Sequence, residues 1–113
     1  MATLIKNDTT RLIPVAGLTA TTMTIDGTNN QTEADAANTT MFSTASSAEY
    51  YQWQVQGCDV NYTLDGTNPT SASPFKVLDG ASGVWNRTTM RNARWSKQTG
   101  ESDGTLVILP VEF

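Results

Sequence analysis

The sequence predicts an all-β domain built as a single antiparallel sandwich, of the jelly-roll or Ig-like type. Asp-Gly dipeptides occur at residues 26–27, 65–66, 79–80 and 103–104, and each lies beside a run rich in β-branched or aromatic residues. Gly tolerates positive φ and Asp hydrogen-bonds its own backbone, so the pair favours tight turns between antiparallel strands. Thr is abundant and favours strands because it is β-branched. A chain of 113 residues, taken as one domain over 1–113, has room for one core.

The chain before the first Asp-Gly pair is predicted to form an arm and then strand structure. Residues 10–25 read as one or two strands interrupted at Pro14 and Gly17, and Pro within a strand belongs at an edge or a bulge. Residues 1–9 are predicted to form an N-terminal arm, which pairs as a further short strand or adds to a neighbouring subunit.

Residues 26–47 are predicted to form a projecting loop. The range is polar and small, and Met41 and Phe42 are its only large apolar residues. Loops of this length inside a compact domain are uncommon, and those that occur tend to be functional or disordered. We therefore expect this loop to become ordered against a partner.

Two strands with period-two alternation follow the loop. In the first, Tyr51, Trp53 and Val55 share one face, which is typical of a half-buried strand. In the second, the expected inward residues are Cys58, Val60, Tyr62 and Leu64, and the expected outward residues are Asp59, Asn61 and Thr63. A short strand at residues 75–78 and a further strand beginning at Val84 and Trp85 are predicted next.

The segment from residue 87 to 97 is basic. It holds four of the seven cations, Arg87, Arg91, Arg94 and Lys97, and no acid. Their spacing would align them on one helix face, yet Thr88, Thr89 and the flanking turns favour a strand. A strand that buries Ala93 and Trp95 would bring Arg87 and Arg91 to the same side, so we expect a bulge near Asn92 or an interface on that face. The last run, residues 105–113, alternates and is expected to be buried for most of its length, with Pro110 marking an edge or bulge.

One hexapeptide is repeated almost unchanged. Residues 24–29 read Thr-Ile-Asp-Gly-Thr-Asn and residues 63–68 read Thr-Leu-Asp-Gly-Thr-Asn. The match is short, so we interpret it as shared turn chemistry rather than as a duplicated domain.

The composition argues against an enzyme, a metal site or a cofactor site. The chain has no His and one Cys, which excludes Ser-His-Asp and Cys-His catalysis and zinc sites built on His or several Cys. Its carboxylates lie mostly in turns, where an acid keeps an ordinary pKa. Residues 26–30 offer oxygen ligands for calcium but lack the downstream Glu of a calcium loop, so a plain turn is expected. Cys58 is expected to be a buried, inert thiol.

Charge and hydropathy also limit the partners. The net charge is −4, and outside the basic segment, which contributes +4, it is −8, so the field repels nucleic acid and anionic membranes. The mixture of cations with Trp85 and Trp95 keeps single-stranded nucleic acid as an alternative for that segment. The sequence has no apolar stretch of the kind a signal peptide or a membrane span needs, so we expect synthesis and folding in a cytoplasm.

The stretch from Val60 to Ser73 carries a recognisable run, Tyr-Thr-Leu-Asp-Gly-Thr-Asn-Pro-Thr at residues 62–70. It resembles the Y-T-L-D-G-x-x-P-T hairpin of small β-sandwich domains, found in accessory domains of chitobiase-like enzymes and in small bacteriophage virion proteins. In the phage versions a short strand follows, then a basic strand of the A-R-F/W kind and a terminal strand ending in an aromatic residue. The counterparts here are residues 75–78, 93–95 and 105–113, so the resemblance covers the C-terminal half.

The resemblance implies a non-enzymatic phage structural protein of the capsid-decorating or cementing kind. Such proteins sit on the outer surface of the phage head as homo-oligomers, often trimers, and tie neighbouring copies of the major capsid protein together. We expect the partner surface to include residues of the basic segment and of the loop: Arg87, Arg91, Arg94, Trp95, Met41 and Phe42.

Two other functions agree with the same sequence. One is a tail or head-to-tail connector subunit. The other is a carbohydrate-binding module, in which Trp53, Trp85 or Trp95 on an open sheet face would stack against sugars.

Overall fold

The computed structural model describes residues 13–15, 20–36, 42, 48–73 and 75–112, and within them the chain is an all-β sandwich of two antiparallel sheets, as predicted. The strands are β1 (Ile13–Pro14), β2 (Thr21–Ile25), β3 (Asn30–Gln31), β4 (Tyr50–Gln56), β5 (Val60–Thr63), β6 (Phe75–Val77), β7 (Ser82–Asn86), β8 (Arg94–Lys97) and β9 (Gly104–Glu112). Two short helices are α1 (Thr32–Asp35) and α2 (Arg87–Asn92).

The first sheet is organised around β9. On one side β4 pairs with it from Tyr50 opposite Val111 to Gln56 opposite Thr105, and β7 pairs with the far side of β4. On its other side β9 pairs with β2 at residues 104–108 and with β1 at residues 111–112. The prediction of strand structure with Pro14 at an edge is confirmed, since Pro14 lies in β1 at the sheet edge, where a missing backbone N–H costs no ladder bond, while Gly17, the other predicted interruption, lies outside the described residues.

The second sheet has the order β3-β8-β5-β6 and packs against the first. The predicted alternation of β4 is confirmed, because Tyr51, Trp53 and Val55 are buried in the core. Trp53 packs against Trp85 and Trp95, with ring centroids 4.8 and 5.4 Å away. These rings come from both sheets, so they form the centre of the interface between them.

The prediction for β5 is half right. Val60 and Cys58 are buried as expected, but Leu64 is 39% exposed, and Asn61 and Thr63 are buried although they were expected to face solvent. The reason is the connection after β5, which folds back over the outer face of this sheet. The Thr63 hydroxyl donates to the Thr67 carbonyl, at 2.5 Å between oxygens. Pro69, Thr70 and Ser71 of this connection line one groove together with Asn61.

The described part of residues 26–47 is not a projecting loop, so that prediction is wrong there. β3 pairs with β8, and α1 packs against the core through Thr32, which is fully buried. Phe42 is fully buried too, with its ring centroid 4.9 Å from that of Tyr51. Residues 37–41 and 43–47, like the predicted arm at 1–9, lie outside the described residues.

The basic segment begins as a helix, so the predicted strand with a bulge near Asn92 is wrong for residues 87–92. The Asn86 side chain caps α2 by accepting from the Thr89 N–H at 2.9 Å, and Met90 anchors the helix in the core. A cap and one buried side chain therefore outweigh the strand propensity of the two threonines. The expected burial of Ala93 and Trp95 is confirmed.

The repeated hexapeptide forms the same hydrogen-bonded turn twice, which confirms the interpretation of shared turn chemistry. Asp26 accepts from the Thr28 hydroxyl at 2.5 Å and from its N–H at 2.8 Å, and Asp65 accepts from the Thr67 hydroxyl and N–H at 2.6 and 3.1 Å. In each turn the hydrogen bond from the Thr hydroxyl, and next the one from its N–H, lowers the pKa of the Asp carboxyl, so the expectation that acids in turns keep an ordinary pKa is wrong for these two.

The other two Asp-Gly pairs behave differently from each other. Gly80 has φ +91° in the corner between β6 and β7, as the turn prediction requires. Gly104 instead begins β9, and the turn before that strand contains Gly100 at φ +89°. A Cβ at residue 104 would lie 2.5 Å from the Cys58 Sγ, so this glycine serves a close approach of β9 to the connection between β4 and β5 rather than a turn.

We predict that Thr32→Val destabilises the fold by about 1–3 kcal/mol, the cost of a buried donor left without its acceptor. The Thr32 hydroxyl accepts from Trp95 Nε1 at 2.8 Å and donates to the Ala93 carbonyl at 3.0 Å, and all of this is buried. Thr88→Val, at an exposed helical position, is the matched control and is expected to change little. Urea denaturation checks this, and equal midpoints for the two variants would contradict it.

We predict that the Asp65 carboxyl titrates below its ordinary pKa of about 3.9. A folded pKa below the unfolded value contributes stability that is present above the unfolded pKa and lost as the pH falls through the folded one. Thr67→Val is expected to raise the pKa of Asp65 and to leave that of Asp26 in place, because the Asp26 turn uses Thr28. Carboxyl-carbon NMR titration measures both, and an unchanged Asp65 pKa would refute the role of the hydroxyl.

Candidate interaction surface

The basic segment is tied to other parts of its own chain. Arg87 donates through Nε to the Ala48 carbonyl at 2.9 Å, and Arg91 forms an ion pair with Glu33 of α1. The remaining two cations reach further segments: Arg94 donates to the Asn68 side chain at 3.3 Å, and Lys97 pairs with Asp103 at 2.7 Å. The Asp103 carboxylate is also the main reason that the pKa of Lys97 is raised. This segment therefore joins α1, the connection after β5 and the start of β9.

Two of the residues expected at a partner surface are in the core. Trp95 and Phe42 are both fully buried, so neither forms an exposed surface, and that expectation is wrong for them. Their burial follows from position, because Trp95 faces the first sheet from β8 and Phe42 packs on Tyr51. Arg87, Arg91 and Arg94 are half-buried, and Met41 lies outside the described residues.

The tryptophans are not arranged as a platform on an open sheet face. Trp95 is fully buried and Trp53 is 4% exposed, while Trp85 is half-buried and stacks on Trp95 with centroids 5.5 Å apart. Their ring faces are used in packing the two sheets together. The feature that suggested sugar stacking is therefore absent for Trp53 and Trp95.

The aromatic core reaches the surface beside β6. Tyr62 packs on Trp85 and Trp95 at 5.5 and 5.6 Å between centroids, and it stacks on Phe75 at 5.3 Å. Phe75 is 48% exposed, and Leu78 just beyond the strand is 68% exposed. We call Leu64, Phe75 and Leu78 the β6 edge, since they surround the edge strand of the second sheet.

Sequence reasoning missed the β6 edge. It placed Leu64 inward because alternation continues from Tyr62, but β5 ends at Thr63 and the chain then turns at Asp65. A usable signal was the length of the next run: residues 75–78 hold three large apolar side chains on a strand of three residues, too short to bury all of them.

The Cys58 thiol is buried, and its surroundings favour the protonated form. Burial raises the pKa of its thiol, and the nearby carboxylates of Glu101, Asp79 and Asp59 raise it further. A thiol with a raised pKa holds little of the thiolate form that acts as nucleophile or metal ligand. Within the described ranges, no three His, Cys, Asp or Glu side chains lie together as a metal site would require.

The comparisons with known proteins add no relative. The chain matches no protein-family model, no curated protein and no solved structure. A search of the described residues for a helix long and apolar enough to cross a bilayer also finds none.

We predict that Arg91→Glu lowers the free energy of unfolding by up to about 1 kcal/mol, because it places a carboxylate opposite Glu33 in a half-exposed pair. Arg94→Glu is the matched control, since its hydrogen-bond partner Asn68 is neutral and the change breaks no ion pair of Arg94 with an acid. Thermal unfolding at low and high salt checks this. The Arg91 defect should shrink in high salt, and a defect that is larger for Arg94→Glu would contradict the ion-pair account.

Proposed function

We propose that this protein is a non-enzymatic structural subunit of a phage virion, of the capsid-decorating or cementing kind. It binds the major capsid protein on the outer surface of the head and associates with copies of itself. It stabilises the head by burying surface area in contacts between subunits, and it does not transform a small molecule.

The hairpin resemblance supports the proposal through the order of its parts. The run at residues 62–70 corresponds to the end of β5 and the connection that follows, and the short strand after it is β6. The basic strand is β8, and the terminal strand is the long β9. Each part of the sequence pattern is therefore a distinct element, in the order that the phage versions follow.

The observation that carries the proposal is the β6 edge. Its large apolar side chains are exposed along the edge strand, with Leu64 and Leu78 at opposite ends of the β5–β6 pair and Phe75 between them, and this strand offers unpaired backbone groups. Covering a side chain of this kind contributes about 1.5–3 kcal/mol when its burial is complete, so a few such residues support attachment. A rigid sandwich with an exposed apolar edge suits a protein that attaches to another protein's surface.

The test is co-sedimentation of the purified protein with expanded phage heads, using wild type and Phe75→Gln/Leu78→Gln. We expect the wild type to bind, and the double variant to lose at least about tenfold in affinity, since about 1.4 kcal/mol is slightly less than the burial of one apolar side chain contributes.

Ile13→Gln is the matched control for this test. Ile13 is an apolar side chain that is 54% exposed, but it lies on β1 in the other sheet, so its replacement should leave head binding unchanged. Absence of wild-type binding to heads, or equal loss in the control, would refute the role proposed for the β6 edge. Circular dichroism of both variants establishes that each is folded.

A further inference from the structure

The outer face of the first sheet carries no charge at any of its described positions. Side chains directly opposite each other in an antiparallel sheet point to the same face, so the registers of β2, β9, β4 and β7 identify its members. We call this set the uncharged face: Thr22, Thr24, Tyr50, Gln52, Gln54, Gln56, Ser82, Val84, Asn86, Thr105, Val107 and Leu109. All of these side chains are exposed or half-buried, whereas Val111, which the register also places on this face opposite Tyr50, is buried.

Apolar residues lie at the centre of the uncharged face. Gln52 stands between Val84 and Leu109, and in the next row Gln54 stands between Ser82 and Val107. A shallow depression of about 240 Å³ opens here. Threonines and glutamines surround it, which is the arrangement of an apolar centre with a polar rim that protein interfaces use.

The second sheet does not offer a comparable face. Its outer side is covered by the chain's own connection after β5, which buries Asn61, Thr63 and Ser96. Cations, Arg94 and Lys76, lie on the strands of that sheet. The uncharged face is thus the broad sheet surface that the described residues leave open.

We propose that the uncharged face binds a second copy of this chain, face to face about a two-fold axis. In such a contact each surface meets itself, so that any charge on it lies close to a like charge from the partner. The net charge is −4, and two copies repel each other least through a surface that carries no charge. A foreign partner would gain neither steering nor specificity from charges on this face, because it has none.

The size of the face sets the expected strength. Four strands spaced about 4.8 Å apart and seven residues of about 3.4 Å each give a plane of roughly 450 Å². A standard interface buries about 800 Å² per partner, so this one is about half the standard size, in the range of weak and transient contacts, and its association should be reversible. Glutamine and threonine side chains can exchange hydrogen bonds across it without leaving a buried charge unpaired.

This dimer would supply the self-association of the proposed virion subunit. Only that biological role of the dimer rests on the proposed function. It is itself a property of the isolated chain. A subunit that bound heads through the β6 edge while staying monomeric would keep the proposed function and overturn this inference.

The test is sedimentation velocity over a concentration series with wild type, Gln52→Lys/Gln54→Lys and Gln52→Glu/Gln54→Glu. We expect the wild type to form a reversible dimer, and each variant to dissociate at least tenfold more readily, because like charges then meet across the axis. An equimolar mixture of the two variants should recover dimers, since opposite charges then face each other. Glutamines are replaced because they are already polar, so folding is preserved and is checked by thermal unfolding.

The change in net charge distinguishes pairing through the uncharged face from overall charge repulsion. Two added lysines move it from −4 to −2 and two added glutamates move it to −6. If overall repulsion controlled association, the lysine variant would associate more strongly than wild type, whereas pairing through the face requires both variants to weaken.

A second control places the same lysines away from the face, as Thr88→Lys/Thr99→Lys at two exposed positions. This variant should dimerise at least as well as wild type. A wild type that is monomeric at the highest concentration, or an oligomer of any size that survives both charged variants, would overturn the inference.

Discussion

The fold depends on packing three tryptophans from two sheets into one space. Trp53 and Trp85 come from the first sheet and Trp95 from the second, and every pair of them has ring centroids within 5.5 Å. This packing requires a glycine at residue 83, because a Cβ there would lie 2.8 Å from the Trp53 ring. It also requires a partner for the buried indole of Trp95, which Thr32 provides from α1. This hydrogen bond fixes α1 against the core, so a polar stretch of sequence becomes part of the core.

Local sequence patterns predicted the elements whose structure depends on residues close in the sequence. The alternation of β4 was readable because one side faces the core and the other faces solvent, and the turn at Asp65 was readable because its hydrogen bonds span two residues. The burial of Asn61 was not readable, since it depends on a connection that folds back over β5. The same holds for Phe42, whose burial depends on Tyr51 in the next strand. For α2, the sequence contained both the helical spacing and the competing threonines, and the contact of Met90 with the core decided between them.

The cations of the basic segment bond mostly to groups of the same chain. Arg91 and Lys97 are paired with acids of the same chain, and Arg87 is bonded to a backbone carbonyl. Cations that are clustered in the sequence therefore form ion pairs and hydrogen bonds that connect different segments of the fold, rather than a basic patch. The physical reason is that charged side chains need hydrogen-bond acceptors, and near neighbours in a compact domain supply them to these cations.

The positions of the two proposed surfaces allow one molecule to use both at once. The uncharged face is the outer side of the first sheet, whereas the β6 edge belongs to the second sheet. β7 lies between them, because Val84 points to the uncharged face while Trp85 points inward and contacts Tyr62, which stacks on Phe75. If a single surface served both partners, a dimer would block attachment to the head. Because the surfaces lie on different sheets, each subunit of a face-to-face dimer would keep its β6 edge open, so one dimer would present two attachment edges and could bind two neighbouring sites more tightly than one.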